Sequence, residues 1–278
     1  MNAVDIPCNL CGSRTASLYQ ETGEAVKVVR CATCGLVYLH PQPAVPSQHY
    51  GEEYFDAWHT RQAPQRARMW DRRLADIRRY RASGHLLDVG CGLGTFLAKA
   101  REAGYDVEGT EITALSARRA VETHGITVHT GDLPDVALPG NAFDLVTFWH
   151  SLEHTPNPGA NLKKAFGLLK PRGMVVVAVP NLDNHIMRAI YRIVKGRPLP
   201  LYTKDMRELH LFPFARKTLV SMIRAAGFKI FTVGVDRGQV MPAKRALEWI
   251  GVALHALTGR NFADAQRVYA VKPSGETG

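Results

Sequence analysis

The 278-residue chain contains no run of about 18 apolar residues, which excludes an evident membrane-spanning helix. Its opening, Met1-Asn2-Ala3-Val4-Asp5, lacks a basic stretch leading into an apolar one. No secretory signal is therefore expected, and the cytoplasm is the expected location. Internal repeats and low-complexity tracts are missing too, which excludes repeat architectures. Cysteine is scarce, at five residues. Four of them form two C-x-x-C pairs, and in a cytosolic chain such pairs read as a metal site before they read as disulfides. Acids are outnumbered, with 25 Asp and Glu against 35 Lys and Arg, a formal charge of +10. Such a surplus attracts nucleic acid, anionic lipid or phosphorylated substrates. The plainer reading is that arginines such as Arg72, Arg73, Arg78, Arg79 and Arg81 solvate helix faces. The rest is ordinary: 46% apolar and 22% charged residues describe a soluble globular protein with room for one α/β domain and a small appendage.

The cysteine pairs fall in the first forty residues. His40-Pro41-Gln42-Pro43-Ala44-Val45-Pro46 follows, and prolines at that density read as a linker. An aromatic stretch comes next, with Tyr50, Tyr54, Phe55 and Trp58. From Gln65 to Arg81, Met69, Trp70, Leu74 and Ile77 recur at helical spacing. Strands and helices then alternate. Strands are expected at His85–Val89, Asp106–Glu111, Ile126–Thr130, Ala142–Trp149 and Met174–Val179. Helices are expected at Thr95–Ala103, Thr113–His124 and Asn157–Leu169, the last stopped by Lys170-Pro171-Arg172-Gly173. This order predicts a mainly parallel, doubly wound sheet covered on both faces. After Pro180 the rhythm breaks at residues 181–213. It resumes with Ala215–Ala226, Phe228–Val235, Pro242–Leu257 and Gln266–Lys272.

Leu86-Leu87-Asp88-Val89-Gly90-Cys91-Gly92-Leu93-Gly94-Thr95 runs from a strand through three glycines into a helix. The glycines let a ligand lie against bare backbone, and the helix start offers free N–H groups. Asp88 before the loop would repel a phosphate and suits a cationic or amine-bearing ligand. Glu111, ending the next strand, can accept hydrogen bonds from ribose hydroxyls. Gly131-Asp132-Leu133, after the third strand, can meet an adenine amine. An amino-acid end, a ribose, an adenine and no phosphate describe S-adenosylmethionine. A nicotinamide-binding Rossmann protein would use Glu111 similarly, but the spacing departs from G-x-G-x-x-G and leaves Asp88 unexplained.

These segments, with Phe143-Asp144-Leu145-Val146, Leu152-Glu153-His154 and Leu168-Leu169-Lys170-Pro171-Arg172-Gly173, stand in an order that resembles the class I S-adenosylmethionine-dependent methyltransferases. Within them the chain is similar to the ubiquinone-biosynthesis O-methyltransferases. The resemblance covers residues 66–180 and, more loosely, His210-Leu211-Phe212-Pro213-Phe214. It implies a Rossmann-like sheet whose last strand is antiparallel. It also implies that Asp88, Gly90 and Gly92 hold the methionyl end, Glu111 the ribose, and Asp132 and Leu133 the adenine. Trp149 and His150 are implied to lie near the sulfonium and the acceptor. Tyr54 is a further candidate against the sulfonium, with core packing the competing reading for it and for Trp149.

Trp149-His150-Ser151-Leu152-Glu153-His154-Thr155-Pro156 opens at the carboxyl end of the sheet. His154 or His150 suits a general base for a hydroxyl acceptor, and His210 is another candidate. Alternatively, His150, Glu153 and His154 bind a divalent metal that positions the acceptor. The related enzymes have an acid where His150 stands, which weighs against a hard cation. The third reading is that Glu153 and His154 brace the loop. The string also fits H-x-x-E-H, but that motif needs a helix, and this one follows a strand.

Cys8-Asn9-Leu10-Cys11 and Cys31-Ala32-Thr33-Cys34 form two knuckles, each followed by a glycine. Four thiolates at this spacing make a closed tetrahedral site, most often structural zinc. Three parts are therefore expected. They are a zinc ribbon over 1–40, a linker and aromatic cap over 41–65, and a methyltransferase domain over 66–278 with a substrate lid at 181–213. In that lid, Ile186, Ile190, Ile193 and Val194 face one way, while Arg188, Arg192, Lys195 and Arg197 are basic. The stretch 185–197 can contact an anionic membrane or pack as a lid. The acceptor is expected to be a small molecule methylated at oxygen, with an RNA substrate as the rival. No aromatic-basic array for stacking bases supports the RNA reading.

Overall fold

The computed structural model describes residues 3–43, 63–206, 208–238, 242–259 and 261–274, with backbone alone at 3 and 242–247. Tyr54 and the rest of the aromatic stretch lie outside the described residues. Near the N-terminus, β1 (Ala3–Val4) pairs with β5 (Gln42–Pro43), and β2 (Ala16–Gln20), β3 (Lys27–Cys31) and β4 (Val37–His40) form an antiparallel sheet. The proline stretch is thus a strand at Gln42–Pro43, not linker from residue 41. A two-residue pair tolerates Pro43, because proline lacks only the donor.

The helices are α1 (Ala63–Arg78), α2 (Thr95–Glu102), α3 (Ala114–His124), α4 (Pro158–Leu168), α5 (His185–Lys195), α6 (Arg216–Ala225) and α7 (Pro242–Thr258). The large sheet takes β6 (Gly84–Val89), β7 (Tyr105–Glu111), β8 (Thr127–Thr130), β9 (Phe143–Trp149), β10 (Leu169–Pro180), β11 (Lys229–Val235) and β12 (Ala265–Val271). Its order is β11-β12-β10-β9-β6-β7-β8. Strands β6 to β10 run parallel, and β12 is antiparallel to both neighbours. The chain leaves β6 toward β7 and β8 and returns to β9 on the other side. That reversal opens the crevice where ligands bind in such sheets.

Local sequence explains these elements. In α1, Met69, Arg73, Leu74 and Ile77 are the buried residues. Asn157 caps α4 by accepting from the Ala160 N–H, and Gly125 ends α3 in the left-handed region at φ 59°. The apolar run of β10 is buried on both faces. Val175, Val177 and Val179 join the layer containing α4, α6 and the small sheet, and Met174, Val176 and Ala178 join the layer under α1 and α2. A buried valine contributes roughly 1.5–3 kcal/mol, against about 1 kcal/mol net for a ladder hydrogen bond. Packing therefore puts this strand inside.

Two expectations change. Residues 170–173 do not end a helix before a separate strand, because β10 already begins at Leu169, opposite Phe143, and resumes at Met174 after an irregularity. The C-terminal end of the expected lid is core: Leu209, Leu211 and Phe212 are buried. The Leu211 carbonyl accepts from the Leu39 N–H at 3.0 Å, and the Phe212 ring stacks on Tyr38. The small sheet thereby packs on the large one. Among the described residues, no helix is long and apolar enough to cross a membrane.

Candidate active site and thiolate cluster

The glycine loop follows β6 at the crevice. Gly90, at φ 73°, packs so closely on the loop after β9 that a Cβ there would lie 2.6 Å from the Ser151 Cβ. Ser151 Oγ also donates to the Val89 carbonyl at 2.6 Å. Gly94 heads α2 at φ 73° without a side-chain cap, so the first N–H groups of α2 have no partner from a capping side chain.

Two buried acids flank this loop. Asp88 accepts from Thr147 Oγ1 at 2.6 Å. Burial raises its carboxyl group to about 7, against the lowering pull of Thr147 and Arg73. Glu111 accepts from the Gly92 N–H and from the Thr113 N–H, both at 2.9 Å. Burial raises it as well. The Ile112 N–H and the Thr113 hydroxyl add to the pull of those two N–H groups against burial. The Thr113 hydroxyl beside it is buried as well. At the end of β8, Asp132 accepts from the Leu133 N–H at 3.0 Å, and Leu133 is buried.

Trp149 sits in an aromatic packing cluster. Its ring lies 6.0 Å from Trp70 and 5.6 Å from Phe96, and the Arg73 guanidinium lies 4.6 Å over it. Core packing, the competing reading, describes what this side chain touches, although its Nε1 has no partner. Arg73 does not solvate a helix face. It is 3% exposed and pairs with Asp236 through both Nε and Nη2. Asp236 is buried at the end of β11, and Arg267 Nη1 lies 3.9 Å from it.

His150 adopts φ 53° and turns Nε2 to Asp236 Oδ2 at 3.2 Å. Burial raises the Asp236 carboxyl group, but Arg73 and His150 outweigh that and hold it well below the usual carboxylate range. His150 Nε2 therefore donates to an ionised carboxylate.

Three other groups converge beside it. One ligand atom each of Glu153, His154 and His210 lies within 4.8 Å of the others. His210, not His150, completes this set, although His150 Nδ1 also lies 3.7 Å from Glu153 Oε1. His154 Nδ1 donates to the Leu209 carbonyl at 2.8 Å, and its Nε2 lies 3.9 Å from Glu153 Oε1. A backbone carbonyl orienting one ring nitrogen is the support metal-binding histidines commonly have. Glu153 is buried with neither oxygen hydrogen-bonded, and burial raises its carboxyl group to about 8. Burial lowers both His154 and His210, and their rings lie 4.9 Å apart. Glu208 borders the set, 4.0 Å from His210 Nε2.

The four thiols of Cys8, Cys11, Cys31 and Cys34 form a second cluster, all within 4.8 Å of one another. Cys8 Sγ is 3.4 Å from Cys34 Sγ, and Cys11 Sγ is 3.5 Å from Cys31 Sγ. Gly12 and Gly35 turn each knuckle at φ 75° and 79° and donate to the Cys8 and Cys31 carbonyls.

Sequence reasoning missed Arg73, Asp236, Thr113 and Thr147. Arg73 carried one signal, since it shares the apolar stripe of α1 with Met69 and Ile77.

A seven-stranded sheet with an antiparallel β12, and a glycine loop flanked by buried acids, define the framework of an S-adenosylmethionine-dependent methyltransferase. The model of the methyltransferase-domain family matches residues 57–233, and the chain belongs to that family. Nocamycin O-methyltransferase of Saccharothrix syringae is 34% identical over 218 residues, covering 71% of this chain and 75% of that protein. Ubiquinone biosynthesis O-methyltransferase of Burkholderia ambifaria (strain MC40-6) is 28% identical over 173 residues, covering 57% and 74%. In fold, the chain is similar to a solved S-adenosylmethionine-dependent methyltransferase of Thermotoga maritima. The TM-score is 0.58 and the identity 16%, covering 81% of this chain and 98% of that one.

Proposed function

We propose that the protein methylates a hydroxyl of a small-molecule acceptor. The observation that carries this reading is the pair of buried acids, Asp88 and Glu111, set on either side of a glycine loop with no basic phosphate-binding side chain in it. The two curated relatives described above are both O-methyltransferases by name, which supports oxygen as the target. Asp88, Gly90 and Gly92 would hold the methionyl end, Glu111 the ribose, and Asp132 and Leu133 the adenine. When bound, S-adenosylmethionine supplies an activated methyl for direct in-line displacement, so positioning carries much of the catalysis. His150, half-exposed and oriented by Asp236, is the best-held base among His150, His154 and His210 for removing the acceptor's proton.

Glu153, His154 and His210 also fit a divalent cation. Glu153 offers two buried oxygens that make no hydrogen bond, and His154 and His210 bring ring nitrogens, a mixed set suited to a borderline metal. The four thiolates fit a structural zinc, with no position left for water. Metal analysis should find about one zinc per chain at this site, and Cys31→Ser should lose it. A folded, metal-free protein would refute the ribbon assignment.

The function itself is tested by transfer of labelled methyl from S-adenosylmethionine to a panel of phenols, sugars and quinone precursors, with ribosomal RNA as a parallel arm. Label in a small-molecule ether supports the reading, and label in RNA alone overturns it.

A further inference from the structure

We infer that α5 and the adjoining face of α7 form a docking surface for an anionic lipid bilayer. Amphipathic helices of soluble proteins turn their apolar stripe inward, and α5 does the opposite. None of its residues is buried. Ile193 is 83% and Val194 70% exposed. On the other side of the helix, Arg188 is drawn toward the protein: its Nη1 donates to the Tyr19 hydroxyl at 2.8 Å, with the guanidinium 5.7 Å from that ring. The apolar face is continued by α7. Ile186 and Met187 share a crevice with Ile250, and Trp249 on α7 is 57% exposed.

Charge selects the occupant. Residues 185–197 contain Arg188, Arg192, Lys195 and Arg197 and no acid, and the acids nearby, Glu248 and Asp264, line the crevice between α5 and α7. Arg192, Lys195 and Arg197 are exposed around the apolar stripe. A second copy docked on this face by a two-fold axis would set these cations against their own images, at a Coulombic cost. An anionic membrane attracts the cations and accepts the isoleucine, valine and tryptophan side chains at its interface. Resting on the function proposed above, the contact also has a use. α5 follows the carboxyl end of β10, the edge at which the crevice opens, so a bilayer-dissolved acceptor would arrive beside the site.

The test is co-sedimentation of the full chain with phosphatidylcholine vesicles, with and without phosphatidylglycerol. Binding is expected only to the anionic vesicles, with a blue shift of tryptophan emission that Trp249→Phe removes. Ile193→Asp with Val194→Asp should weaken partition by about tenfold or more. Arg192→Gln, Lys195→Gln and Arg197→Gln together should weaken it on the order of a hundredfold at low salt. All five positions are exposed, and calorimetric S-adenosylmethionine binding should be unchanged in both variants. That control separates failure of this surface from failure of the cofactor reading. A wild-type protein indifferent to anionic vesicles overturns the inference, as does partition that neither variant alters. A dimer broken by Ile193→Asp with Val194→Asp, without vesicle binding, assigns the face to a second copy instead.

Discussion

Asp88 and Asp236 are both buried at the ends of strands in one sheet, β6 and β11, yet their environments drive them in opposite directions. Asp236 meets a full guanidinium in two hydrogen bonds, plus the His150 imidazole, and stays ionised far below its ordinary range. Asp88 has one neutral hydroxyl, and burial raises it to about 7. A buried charge is tolerated when it is paired, so Asp236 has its counterion within the chain. Asp88 is the acid whose counterion would have to come from outside, and S-adenosylmethionine carries a cationic amine and a sulfonium.

The largest expected effect tests the paired member. Asp236→Ala leaves the Arg73 guanidinium buried without its carboxylate, which should cost about 3–5 kcal/mol in urea denaturation. Arg73→Met combined with Asp236→Leu should recover much of that loss, because an apolar pair of similar bulk leaves no charge stranded. A single substitution costing under about 1 kcal/mol would show that Asp236 is not the fixed counterion described here. The same variant frees the His150 ring, so kcat should fall more than the affinity for S-adenosylmethionine.

How this contrast was hidden in the sequence is instructive. The sheet was legible because each strand and helix announces itself by spacing within a few residues. The thiolate cluster was legible for the same reason, since its knuckles are local. Asp88 and Glu111 were legible because both flank the glycine loop in the order shared with class I methyltransferases. The Arg73–Asp236 pair joins residues from opposite ends of the fold. Arg73 stands close to the exposed Arg78 and Arg79 in a stretch that reads as a charged surface, and Asp236 follows a strand like any loop acid. The place of Arg73 in the apolar stripe with Met69 and Ile77 marks it as inward-facing, but nothing local names the partner folded against it. His210 falls between these cases. Its segment was legible through the resemblance, but not its convergence with Glu153 and His154. That depends on residues 209–214 docking in the core instead of forming a lid.

The next prediction concerns the acid that lies beside Asp88 in the same site. Glu111→Ala removes the acceptor that the Gly92 and Thr113 N–H groups already orient. Calorimetry should find S-adenosylmethionine binding weakened by at least about tenfold, equivalent to about 1.4 kcal/mol. Unchanged affinity would mean that the orienting hydrogen bonds are the whole role of Glu111, and the contrast between structural and ligand-facing acids would then belong to Asp88 alone.

The smallest expected effect decides whether Asp88 faces the cation. Its folded-state value of about 7 lies above the ordinary 3.8. Between those values the folded chain holds a proton that the unfolded chain has lost, so this residue's contribution to the ligand-free fold is complete below about pH 4 and is lost as pH rises toward 7. Ligand binding runs the other way, because a cation prefers the ionised carboxylate and drives that proton off. Relative to Asp88→Asn, wild-type affinity for S-adenosylmethionine should therefore fall about tenfold from pH 8 to pH 6. Binding at pH 6 should release close to one proton, read by calorimetry in two buffers of different ionisation enthalpy. Asp88→Asn should abolish that release while changing stability at neutral pH by less than about 1 kcal/mol, in contrast to the cost at Asp236. If wild type and variant share one pH profile, Asp88 is a buried acid braced by Thr147 and nothing more. The methyl donor would then be held by Glu111 and the loop backbone.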